Sequence, residues 1–256
     1  MNLYLLPSLT TKVLPDTHVA GHPRWMLDGR TMLIGPYHTV EEHEQHISQT
    51  VGSTDWFWSA SDEFRFDKST LILQSVLLLI PDTTTPSDCT PVSWLHVPQE
   101  KGLLRLDAPQ DFQITPTDFR WIEPQGKALV CLSEYAQEHT SHQLRLRIAD
   151  HLDFLFADEQ FCGWILFDPT NFIVDSWEEP TEGKAELQFI DLLTTYLTLV
   201  TSSCIEQMEN NDLAIRDMLL DLYTQVTSSL QPSRRRDILR EAIADKLDRF
   251  YDVAIH

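Results

Sequence analysis

The sequence predicts an α+β protein: a mixed, mainly antiparallel sheet region over residues 1–180, then an all-helical C-terminal third, 181–256, of three antiparallel helices. Three observations carry this. Short β-rich runs separated by turn residues continue to about Glu179. Apolar residues at three- and four-residue spacing take over after "EEPTEG". A 256-residue chain with 42% hydrophobic residues can bury a full core, so the two regions are expected to pack as one unit.

The elements follow in chain order. "HTVEEHEQHI" (His38 to Ile47) reads as a short helix with Thr39 as its cap, Glu42 closing a capping box and Glu41 favourable in the first turn. "FRFDKSTLILQSVLLLIP" reads as a hairpin: Phe64 and Phe66 alternate with charge, Asp67-Lys68-Ser69 turns the chain, and Leu71 to Ile80 is nearly continuously apolar. "PDTTTPSDCTP" (Pro81 to Pro91) reads as a surface loop. The runs "LLRL" at Leu103 and "ALVCLS" at Ala128 are further strands. In "SHQLRLRIADHLDFLFADE" the spacing of Leu144, Ile148, Leu152, Leu155 and Phe156 favours a helix, although Leu144 to Ile148 also alternates as a strand does. "CGWILFDPTNFIVDSW" reads as a second hairpin around a type I turn at Asp168-Pro169-Thr170-Asn171.

Three amphipathic helices are expected beyond that point. Phe189, Leu193, Tyr196, Leu197, Val200 and Cys204 mark the first. Ile215, Leu219, Leu222 and Val226 mark the second, which begins near Asn211 or Asp212, and Ile238, Ala242, Ile243 and Leu247 mark the third, after Pro232-Ser233. Short connections make these helices antiparallel neighbours.

Charge and motifs narrow the function. With 39 acidic against 19 basic residues the formal net charge is −20, which disfavours nucleic acid and anionic membrane as partners. No apolar run reaches the length of a membrane span, the first residues lack the pattern of a signal peptide, and four dispersed cysteines suit a reducing compartment, so a cytoplasmic protein is expected. GxSxG, P-loop and GxGxxG motifs are absent and glycines number only eight, which disfavours phosphoryl transfer and dinucleotide binding. No cofactor is expected.

Two patterns remain as candidate sites. "EHEQH" and "EHTSH" place His43, His46, His139 and His142 in two pairs that together could supply four imidazoles to a metal, although the zinc-protease order is not met and a locally hydrogen-bonded surface role is favoured. Between Asp153 and Asp191, ten carboxylates face a single base, Lys184. From this belt Asp158, Glu159, Asp168, Asp175, Glu178, Glu179 and Glu182 are the expected partner-binding residues, because complementary charge speeds the capture of a basic partner. The opposite pattern, Arg234-Arg235-Arg236 in the first turn of the last helix, opposes the helix dipole and calls for compensation by Asp237 and Glu241 or by the belt itself. The aromatic run "DWFWS" (Asp55 to Ser59) reads first as core packing and second as a contact surface.

The leading expectation is therefore a non-enzymatic acidic binding protein that captures a basic protein partner, of which an immunity or antitoxin-type inhibitor is one form. The competing expectations are a metal-dependent enzyme built on the paired histidines and a structural subunit docking through its helical third.

Overall fold

In a computed structural model of the chain, residues 1–53, 61–85, 91–139, 141–228 and 233–253 are described. "DWFWS", Cys89 and most of the second half of the Pro81–Pro91 loop lie outside them. The chain opens with strands β1 (Asn2–Leu6), β2 (Leu9–Pro15), β3 (Arg24–Met26) and β4 (Thr31–Ile34), followed by helix α1 (Val40–Gln49) and strands β5 (Thr50–Ser53), β6 (Glu63–Asp67) and β7 (Leu73–Leu79). After α2 (Val92–His96) come β8 (Gln99–Leu106), β9 (Phe119–Ile122), β10 (Ala128–Leu132), α3 (Tyr135–Glu138), β11 (Gln143–Ala149), β12 (Leu152–Ala157), β13 (Gln160–Phe167) and β14 (Ile173–Val174). Helices α4 (Leu187–Leu199), α5 (Ser202–Glu209), α6 (Leu213–Thr227) and α7 (Arg234–Tyr251) complete the fold.

The strands form two sheets. In the first, the order is β1-β2-β8-β11-β12-β13-β10-β9, and β1 also meets the start of β13 through Tyr4 and Gln160. Six of these strands therefore close into a ring, while β13 continues past β1 to pair with β10. Gly163 makes that branch feasible, since a Cβ there would sit 2.2 Å from the Cys131 carbonyl oxygen on β10. The second sheet, β14-β3-β4-β7-β6-β5, is antiparallel except for the β14–β3 pair. The fold class is thus α+β, with mainly antiparallel sheets ahead of a helical C-terminal region.

One apolar cluster joins both sheets to the last four helices. Phe64, Phe66 and Val76 of the second sheet, Phe154 and Trp164 of the first, and Leu193, Leu219 and Leu239 of the helices all belong to it. A smaller cluster on the outer face of the first sheet packs Val130, Leu155 and Ile165 under Trp94 of α2 and Ala136 of α3. Among the described residues no helix is long and apolar enough to cross a membrane.

The β6–β7 hairpin forms as expected, and its turn shows why: Asp67 accepts hydrogen bonds from the backbone and hydroxyl groups of both Ser69 and Thr70. Those donors favour the ionised carboxylate and hold Asp67 at about 2.

Three elements differ from expectation. The 141–159 stretch is the β11–β12 hairpin, not a helix. Its helical spacing is an accident of a strand pair that buries residues on both faces: Leu144, Leu146 and Phe154 point inward, while Arg145 and Arg147 oppose Asp153 on the other side. The Asp168–Asn171 turn does form, with an Asn171 N–H to Asp168 carbonyl bond of 2.9 Å, but it does not make a hairpin. The chain leaves the first sheet through a 3-10 turn at Pro169–Phe172, and β14 then joins the second sheet beside β3. Finally, the first expected C-terminal helix is two. The chain breaks at Val200 (ψ 38°) and restarts at α5, where the Thr201 hydroxyl accepts the Cys204 N–H and supplies a new cap. The helices that follow start where the sequence places them, capped by Asp212 and Ser233.

Candidate functional site

Helix α1 forms over the second sheet as its capping signals require. The Thr39 hydroxyl accepts the Glu42 N–H, and the Glu42 carboxylate reaches back to the N–H of His38, one residue before the cap. The helix buries none of its own residues, so apolar packing does not hold it. Polar contacts do. The His43 ring donates from Nε2 to Glu63 Oε1 at 2.8 Å, and His46 Nε2 lies 2.8 Å from Ser75 Oγ. Arg65 reaches up from β6 to the carbonyls of Ile47 and Thr50 at the end of the helix. The buried Tyr37 ring fills the space between, with centroids 4.7 Å from His43, 5.2 Å from His46 and 5.4 Å from Trp177. Beneath it Arg24 donates to the carbonyls of Gly35, Tyr37 and Trp177. Burial lowers the affinity of the His46 imidazole for a proton, despite the opposing pull of Glu63; Arg65 and His43 add to the lowering.

The second histidine pair lies elsewhere. His139 follows α3 beside the first sheet and stacks on Tyr135 at 3.8 Å, while His142 is exposed and its carbonyl accepts the Asp158 N–H. The structure does not bring the two pairs together. Among the described residues no three His, Cys, Asp or Glu side chains are grouped to hold a metal ion.

The acidic belt divides into parts with different uses. Asp153 is fully buried and ion-paired with both Arg145 and Arg147. Asp158 and Glu159 form the tight β12–β13 turn, both with left-handed backbone (φ 46° and 68°). Asp168 lies at the opposite end of β13, roughly 25–30 Å away at about 3.3 Å per residue. Asp175 pairs with Arg234 at 2.9 Å. Glu178 folds back to accept the N–H groups of Asp175 and Ser176. Partial burial would raise its pKa, but those bonds and Arg234 outweigh it and hold the carboxyl below the usual range.

The three arginines of α7 organise the same loop from behind. Arg234 takes Asp175, Arg236 takes Glu186 at 2.8 Å, and the buried Arg235 guanidinium gathers the carbonyls of Asn171, Thr181 and Gly183. The charges that oppose the helix dipole are thus compensated within the fold, by the belt and by backbone oxygens. Their effect is to fix the shape of residues 171–186.

That loop forms one wall of a cleft of 730 Å³, lined by Gly21, His22, His151, Phe172, Glu179 and Glu182 among others. His151 stands on the β11–β12 turn with left-handed backbone (φ 65°), 3.5 Å from Asp168 and 5.0 Å from the Phe172 ring. His38 lies 3.7 Å from Glu179. No Lys or Arg is ion-paired with Glu179 or Glu182 among the described residues. Of the seven expected partner-binding carboxylates, then, Glu179 and Glu182 line the cleft and Asp168 stands beside it through His151. Asp175 and Glu178 shape its loop, and Asp158 and Glu159 sit at the far end of β13. The cleft histidines are scattered over 130 positions of sequence, and no spacing signal marks them.

No family model, curated protein or solved structure matches the chain.

Proposed function

We propose that the protein is a non-enzymatic binding protein of the cytoplasm that captures a basic segment of a protein partner in the cleft beside the 175–183 loop. The observation that carries this reading is the pair Glu179 and Glu182: both are exposed, both line a cleft of 730 Å³, and no Lys or Arg is ion-paired with either among the described residues. The loop that presents them is fixed from behind by Arg235, so the carboxylates are pre-positioned and little ordering entropy opposes binding. The overall charge of −20 adds long-range attraction for a cationic partner. Phe172 and Pro180 in the same cleft offer apolar surface for the methylene stem of a lysine or arginine.

An inhibitor of the immunity or antitoxin type, occluding the basic face of its target, is one form this function takes. The test is the association rate with an arginine- or lysine-rich protein as a function of salt. A rate that falls steeply with ionic strength supports electrostatic capture, and a salt-independent rate counts against it.

A further inference from the structure

We infer that a second cavity, between the β3–β4 turn and helices α4, α5 and α7, is a binding site for a free α-amino acid with an apolar side chain. It shares no lining residue with the capture cleft, so the inference stands independently of the capture reading.

The cavity measures 370 Å³, inside the range of roughly 300–1,000 Å³ in which small ligands are held. Its charges balance although the whole chain carries −20: Arg30, Lys246 and Arg249 line it together with Asp28, Asp82 and Glu209. Two of the cations are used by the fold. Arg30 pairs with Asp82, which also accepts the Ser202 hydroxyl at 2.9 Å, and Lys246 pairs with Asp245 at 2.7 Å and Asp28 at 3.6 Å. Arg249, near the end of α7, and Glu209, at the end of α5, have no ion pair among the described residues. The Arg249 guanidinium lies over the Phe250 ring, 5.4 Å from its centroid.

The observation that points to a ligand is Tyr196 on α4. Its side chain is 2% exposed and lines the cavity, yet its hydroxyl has no hydrogen-bond partner among the described residues. Buried hydroxyls are nearly always paired, so an unpaired one marks a position where something outside the chain supplies the acceptor. Burial keeps this phenol in its neutral, donating form, and Asp28 and Asp245 add to the effect.

An amino acid matches all three free groups. Its carboxylate would accept from Tyr196 and pair with Arg249, its ammonium would pair with Glu209, and Leu27, Val200 and Ile205 offer apolar surface to its side chain. An inorganic anion would leave Glu209 and the apolar wall unused, and a simple amine would leave Tyr196 and Arg249 unused.

The experiment titrates the full chain with L-leucine and L-phenylalanine by calorimetry and thermal melting. Each is compared with its amide, which lacks the carboxylate, and its deamino acid, which lacks the ammonium. At least one of the two amino acids is expected to saturate a single site and to raise Tm with its concentration, and both of its analogues to bind about tenfold more weakly. Tyr196→Phe is expected to weaken binding several-fold while leaving the melting temperature of the free protein unchanged, because the hydroxyl it removes has no internal partner. Glu209→Gln is expected to weaken amino-acid binding about tenfold and to leave the deamino acid unaffected. No saturable binding of either amino acid at about 10 mM overturns the assignment and leaves the cavity to water. Analogues that bind as well as their parents, or a folded Tyr196→Phe that binds undiminished, overturn it as well.

Discussion

The Arg235 guanidinium on α7 donates to the Gly183 carbonyl at 2.7 Å, tying the last helix to the loop that walls the cleft. The same Nη2 also meets Asn171 at 3.1 Å, so one side chain joins both ends of a thirteen-residue excursion. Arg235→Met retains the stem but removes the charge. It is expected to cost about 2 kcal/mol, in the range of a lost charged hydrogen bond, and to increase amide exchange in residues 175–183 above that elsewhere. Denaturant unfolding with hydrogen exchange reads both quantities.

Asp153 is expected to be the most costly carboxylate to remove. It is fully buried between Arg145 and Arg147, and its loss leaves two cations facing the first sheet without a partner. Asp153→Ala should cost about 3–5 kcal/mol in equilibrium unfolding, the usual penalty for breaking a buried ion pair from one side.

This pair also shows what was legible in the sequence. The net charge follows from composition alone, and the hairpin at Asp67 and the caps at Thr39, Asp212 and Ser233 could be read because each depends on neighbours in the chain. The β11–β12 hairpin could not. Its apolar residues fit a helical period by coincidence, and the Arg145–Asp153–Arg147 arrangement that distinguishes a strand pair is a cross-strand relation. The cleft was half legible: Glu179 and Glu182 stood out by density of charge, whereas His22 and His151 are joined to them only by the closure of the fold. The two histidine motifs were legible in the opposite sense. Their spacing is visible, but His43 and His46 face Glu63 and Ser75 under α1, while His139 rests on Tyr135.

Asp62 makes the stability fall as pH rises. Complete burial pushes its carboxyl up to about 8, against the opposing hydrogen bond from the Leu79 N–H, while an unfolded aspartate titrates near 3.9. Its contribution is fully present below the unfolded value and is lost as pH rises through the native one. Asp62→Asn, which keeps an oxygen for Leu79, is expected to gain on the order of 2 kcal/mol at pH 8 and nothing at pH 3.5. Thermal melts across that range measure the difference.

His46 acts with the opposite sign. Burial depresses its native pKa, so the unfolded chain takes up the proton first and stability is lost as pH falls from about 6.5 toward the native value. The loss should appear first in α1, which has no buried residue to hold it. His46→Gln, able to bond Ser75 without titrating, is expected to flatten the melting profile between pH 6.5 and pH 5 and to leave exchange in the α1 amides insensitive to pH.

The measurement that bears most directly on the central claim is the affinity of the Glu179→Gln/Glu182→Gln variant for an oligolysine peptide at low and physiological salt, beside an Asp158→Asn/Glu159→Gln variant of equal charge. Capture in the cleft predicts that the first loses about tenfold in affinity at low salt and that the second, at the far end of β13, loses less than twofold. Equal losses in the two variants, or none in either, would contradict it.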